Sequence, residues 1–113
     1  MNDQKQKIKQ YIVLRPEISP PLACIGVGHG VLAAYLKWKD DQIVKDWVGG
    51  IFYKCICQAQ SFKEWNAIKD WREDKIVITE SSVDNLEIAV IFKPIIYAKG
   101  SIFNELKLYD GKY

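Results

Sequence analysis

Residues 11–15 (YIVLR) form an unbroken apolar, β-branched run with polar flanks, the pattern of a strand buried on both faces. Three prolines between 16 and 21 follow it and predict an extended, non-helical connection. From Gly26 or Gly28 onward, Val31, Leu32, Tyr35, Leu36 and Trp38 recur close to helical spacing, which predicts a first helix. A second helix, DQIVKDWV, is capped by Asp40 or Asp41, buries Ile43, Val44, Trp47 and Val48, and ends at Gly49-Gly50. Residues 51–59 (IFYKCICQA) alternate at strand period and are rich in aromatic and β-branched types. Ser61 and Glu64 make a capping box for a third helix carrying Phe62, Trp65, Ile68 and Trp71 as one apolar stripe.

Residues 75–79 (KIVIT) and 86–92 (LEIAVIF) predict two further strands joined by a short polar turn, and a last turn of helix opens at Ser101 with Ile102, Phe103 and Leu106 on one side. Helices separate most of these strands, so the expected fold is a three-layer α/β/α sandwich around a four-stranded, mixed, mostly parallel sheet, with one antiparallel hairpin. At 113 residues the chain is read as a single domain, residues 1–113, with 1–9 as a frayed end.

Composition changes this picture little. Hydrophobic residues make up 49% and charged residues 27%, the balance of a packed domain. The net charge is +2, and Lys5, Lys7 and Lys9 against Asp3 account for all of it. A polyanion-binding surface must therefore come from folding, and those lysines are either a solvated end or an RNA-contacting arm. The three cysteines include Cys55 and Cys57 side by side on one strand, which suits reduced core thiols better than a disulfide. With one histidine in the chain, no zinc-ligand spacing exists, and no metal or cofactor is expected. No apolar stretch approaches a membrane span and the first ten residues carry no apolar leader, so a cytoplasmic protein is expected.

Two constellations carry candidate chemistry. Gly26, Gly28 and Gly30 surround His29 where the expected first helix begins. Free amides there suit an anion or a developing oxyanion, while tight helix-to-sheet packing asks for the same glycines. His29 is either a working imidazole or a structural one. The second constellation is Thr79-Glu80-Ser81-Ser82-Val83-Asp84-Asn85, at the carboxyl end of the third strand, where ligands favour the crevice of an α/β sheet. Asp84 and Asn85 are also good turn formers. No Gly-x-Ser-x-Gly elbow occurs.

Taken in order, YIVLR, GHGVLAAYLK, FYKCIC, VITE, AVIFKP and LKLY make the chain, over residues 8–109, resemble the type II peptidyl-tRNA hydrolases and their smaller bacterial and phage relatives. The resemblance implies an α/β sandwich, usually dimeric, that cleaves the ester joining a peptide to tRNA. It implies tRNA as partner, no DNA and no membrane, a homodimer, and no cofactor. Carried over position by position, it assigns the catalytic role of the family's aspartate to Glu80, retains His29 from the family's Ser-His pair, and leaves Ser81 or Ser82 as the nearby hydroxyl. Gly26 and Gly28 fall where the family has a glutamine and that serine. Arg15 ends the first strand as in the family, and Arg15, Gly26, Gly28, Asp84 and Asn85 are the expected substrate contacts. The family's catalytic lysine has no counterpart, since no Lys or Arg occurs between Pro16 and Leu36.

Overall fold

The structure, a computed structural model, describes residues 7–97 and 101–111. Of the end expected to fray, residues 1–9, positions 1–6 lie outside those residues, while Ile8 and Lys9 belong to a strand. Strand β1 spans Ile8–Leu14, three residues earlier than its apolar run suggests, because Lys9 is paired with Tyr53 on one side and Ile95 on the other, and Ile8 with Ile96. Helix α1 spans Pro20–Trp38, α2 Gln42–Gly49, β2 Tyr53–Gln58, α3 Phe62–Lys69, β3 Lys75–Glu80 and β4 Leu86–Phe92. The two-residue strands β5 (Ile95–Ile96) and β6 (Lys107–Leu108) complete the set, with 3-10 turns at Ser81–Val83 and Ile102–Glu105.

The sheet has six strands in the order β3-β4-β1-β2-β6, with β5 pairing with β1. This corrects the expected four-stranded, mostly parallel sheet. The β1–β2 pair is parallel, and β1–β4, β3–β4, β1–β5 and β2–β6 are all antiparallel. The physical reason lies in the last long strand. The helical crossovers do leave β1, β2 and β3 running in one sense, but β4 turns back from β3 and inserts between it and β1. The two additional strands are too short for any sequence period to mark.

Two cores lie on the two faces of the sheet. On one, Ile12, Leu14, Ile88 and Ile91 pack under α1 and α2 with Trp38, Val44 and Trp47. On the other, Tyr11, Val13, Val90 and Phe92 pack under α3 and the second 3-10 turn with Trp65, Ile68 and Phe103.

Helix α1 departs from its sequence reading in two ways. It begins at Pro20, not Gly26, because Pro20 and Pro21 occupy its first turn, where the missing N–H groups have no helical acceptor to lose. Its buried face consists of Ala23, Gly26, Gly30, Ala34 and Trp38, while Leu32, Tyr35 and Leu36 point outward. Isoleucines of β3 and β4 fill the space beneath the helix at Gly26 and Gly30, so small residues face the sheet there, and Trp38 is accommodated only at the helix's last residue.

Candidate functional site

The close seating of α1 on the sheet positions the site. A Cβ at Gly26 would stand 3.3 Å from both Ala89 Cβ and the Ile88 Cδ1, and one at Gly30 would overlap the Ile91 side chain. With those glycines pressed against β4, His29 between them is carried over the carboxyl end of β3. Its Nε2 lies 3.8 Å from Oε1 of Glu80.

Glu80 is the last residue of β3 and the N-cap of the following 3-10 turn. Its Oε2 accepts the Ser82 hydroxyl at 2.6 Å and the Ser82 backbone N–H at 3.3 Å. These two bonds, the hydroxyl's first, hold the carboxyl below the usual glutamate range, with His29 adding a smaller effect in the same direction and partial desolvation opposing it. The two side chains differ in access: that of His29 is 63% exposed, that of Glu80 only 15%. One carboxylate oxygen is thus locked by the turn and the other turned toward an open imidazole.

The other expected residues are placed differently. Gly26, Gly28 and Gly30 sit within the helix, beyond its first turn, so their amides belong to the helical ladder and form no cradle. Gly28 faces open space. Ser81 is exposed beside Glu80, but the hydroxyl that binds the carboxylate is that of Ser82. The sequence left Ser81 or Ser82 as the nearby hydroxyl and could not choose between them, because a Glu two residues before a Ser has no distinctive signature until the strand is known to end there. Asp84 and Asn85 form the hairpin tip, both in the left-handed region with φ of 56° and 58°. Arg15 turns to the α3 side of the sheet, where its guanidinium lies 4.9 Å from the Phe62 ring centroid and donates to the Glu87 carbonyl at 3.3 Å.

The surface carries one groove of about 310 Å³ beside Pro16, Gln58 and Leu108, and another of about 770 Å³ beside Trp47, Phe52 and Tyr53. His29 and Glu80 line neither. Among the described residues no three His, Cys, Asp or Glu side chains cluster as a metal site would require. The cysteines are free thiols; Cys57, on the α3 face near Cys55, is buried, and burial pushes its pKa up to about 12. No helix among the described residues is long and apolar enough to cross a membrane. No protein-family model matches the chain, and no curated protein matches it.

The arrangement is chemically specific. A carboxylate fixed on one side and facing an imidazole on the other can orient that imidazole and stabilise it when it takes up a proton. The hydroxyl bonded to the pair, that of Ser82, donates to the carboxylate and not to the imidazole, so the attacking group this geometry suits is water.

Proposed function

We propose that this chain is a divergent ester hydrolase of the type II peptidyl-tRNA hydrolase kind, acting on the ester between a peptide or amino acid and tRNA. The observation that supports this reading is the juxtaposition of His29 Nε2 and Glu80 Oε1 at 3.8 Å, with the far carboxylate oxygen tied down by Ser82. These residues come from α1 and β3, and the family resemblance assigns both of them to catalysis. In this reading His29 takes a proton from water as the water oxygen bonds to the ester carbonyl carbon. The tetrahedral intermediate then expels the ribose oxygen, which receives the proton from His29, while Glu80 stabilises the transient imidazolium. An open surface suits a substrate as large as tRNA.

The reading also fixes an expectation about rate. One positioned oxyanion donor is typically worth about 100- to 1,000-fold in turnover. With the first-helix glycines inside the helix and no lysine between Pro16 and Leu36, turnover should be slow. The test is cleavage of peptidyl-tRNA by purified protein. Slow cleavage that falls at least ~100-fold in both His29→Ala and Glu80→Gln supports the proposal; no cleavage, or cleavage unchanged in Glu80→Gln, removes it.

The missing lysine and the absent cradle favour a second reading, a non-catalytic module that keeps a tRNA- or protein-binding surface. A salt-dependent mobility shift with tRNA and no hydrolysis would single it out. Either reading goes with a reducing, cytoplasmic setting, which the free thiols support, and with a homodimer formed through the exposed Leu32 and Leu36 of α1.

A further inference from the structure

Strands β1 and β2 lie side by side and parallel, yet the chain leaves them in opposite directions. After β1 it enters α1, which packs on one face of the sheet with Ala23, Ala34 and Trp38. After β2 it enters α3, which packs on the other face with Trp65 and Ile68. Such a divergence leaves a crevice beyond the carboxyl ends of the two strands, and in open α/β sheets that crevice is where ligands settle.

The smaller groove occupies that place. The last pair of the two strands is Leu14 with Gln58, the Ala59 amide makes one further bond to the Leu14 carbonyl at 3.0 Å, and beyond it the groove of about 310 Å³ opens. Pro16 and Glu17, just after β1, form one wall; Gln58, Ala59 and Gln60 form a second; Lys107 and Leu108 of β6 form a third. Its volume falls at the lower end of the range of about 300–1,000 Å³ that small-molecule sites occupy. Strands β1 and β4 stand between β2 and β3, so the groove is three strand spacings, roughly 14 Å, from the end of β3 and is a different place from the His29–Glu80 pair.

The polar groups of the lining give the ligand class. The Gln58 side chain, only 9% exposed, reaches across from β2 and donates from its carboxamide nitrogen to the Arg15 carbonyl at 3.1 Å, and Gln60 donates likewise to the Gln58 carbonyl at 2.9 Å. A carbonyl can only accept, so the nitrogen is the end that each side chain gives to the protein. The two carboxamide oxygens take no donor among the described residues and are left to a ligand. Glu17 adds a carboxylate from a strained position: directly after Pro16 it takes a φ of 58°, where glycine is the favoured residue. Strain retained at a groove is a reason to look for a function. Lys107 is the cross-strand partner of Gln58, so their side chains share a face. Neither Glu17 nor Lys107 makes an ion pair among the described residues, whereas Asp110, the other carboxylate of the lining, has a partner of its own. Acceptors from the ends of β1 and β2, an ammonium from β6 and the apolar surface of Pro16, Ala59 and Leu108 together suit a small zwitterion with an aliphatic side chain.

From this we infer that the groove binds a free aliphatic α-amino acid, with its ammonium held by Glu17 and the carboxamide oxygens and its carboxylate by Lys107. The inference is independent of the ester-hydrolase reading and survives its failure. The probe is L-leucine, titrated into the isotope-labelled full chain and followed by backbone amide chemical shifts. Saturable shifts are expected at Glu17, Gln58, Ala59 and Gln60. Isocaproate, which lacks the ammonium, and L-leucinamide, which lacks the carboxylate, should each bind several-fold more weakly, as loss of one exposed ion pair implies. Lys107→Gln should weaken L-leucine several-fold and leave L-leucinamide unchanged, and His29→Ala should leave both unchanged. Glu17→Gly removes the carboxylate and relieves the positive φ, so it should weaken L-leucine several-fold with no fall in the urea midpoint. Absence of saturable shifts overturns the inference. So do saturable shifts that spare the groove, either analogue binding as tightly as L-leucine, or wild-type affinity in both Glu17→Gly and Lys107→Gln.

Discussion

Gly28 and Gly30 are two residues apart on α1 and meet opposite surroundings, open space for the first and the Ile91 side chain for the second. Gly28→Ala adds a methyl group to solvent and removes backbone freedom from the unfolded chain, so it should stabilise the protein by about 0.5–1 kcal/mol. Gly30→Ala must lift the helix or displace Ile91, and overpacking of this kind costs about 1–3 kcal/mol. Urea denaturation of both variants checks the pair, and shifts of equal sign would contradict the seating of α1 described above. Glu80 offers a different residue-scale test. Its carboxyl is held low, chiefly by the Ser82 hydroxyl, so it stabilises the fold above the ordinary glutamate pKa. That contribution fades as pH falls from the ordinary glutamate pKa through the lowered folded-state value. Thermal midpoints of wild type and Glu80→Gln should therefore differ most near neutrality and converge in acid; a constant offset down to pH 2 would count against the Ser82 interaction.

Among elements, the hairpin between β3 and β4 is the one whose local chemistry is most legible in the sequence. Asp84 and Asn85, which follow the 3-10 turn Ser81–Val83 and lead into β4, both take positive φ, a conformation that Asp and Asn tolerate better than most residues. Asn85→Gly should be neutral or slightly stabilising, whereas Asn85→Val, placing a β-branched side chain in the left-handed region, should cost about 1–2 kcal/mol by denaturant titration. The capping box is legible for the same reason, since its chemistry is local: the Glu64 amide donates to Ser61 Oγ at 3.1 Å. Helix α1 is not. Apolar residues surround it on every side, so a 3.6-residue period fits either face, and only the isoleucines of the opposing strands decide that the small residues go inward. Its start was equally hidden, because Pro20 and Pro21 read as breakers until they are placed in a first turn. That displacement removes the expected oxyanion cradle. His29 and Glu80 were legible as residue types, but their meeting depends on how deeply Gly26 and Gly30 let the helix sink.

For the whole molecule, the consequence of β4 inserting between β3 and β1 is that the sheet has two long edges of unequal protection. On one side β3 is itself the edge; on the other, β2 is covered by β6, a strand of two residues. What holds that cover in place lies in the α3-side core. Phe103, in the 3-10 turn just before β6, stacks on Tyr11 at 4.3 Å and meets Phe92 edge-on at 4.8 Å. It is 4% exposed, so it anchors the C-terminal segment to the central strand from beneath. Phe103→Ala should cost about 3–5 kcal/mol, as truncation of a buried aromatic does, and should also loosen β6 from β2. A bare strand edge templates association between copies. The variant should then show both a lower denaturation midpoint and concentration-dependent aggregation under conditions where it is still mostly folded. Phe103→Leu retains most of the apolar volume and should recover most of both properties. Light scattering alongside denaturation separates the effects: loss of stability without association would mean that β6 stays paired without its anchor, and that the two-residue strand protects the edge through its own backbone bonds.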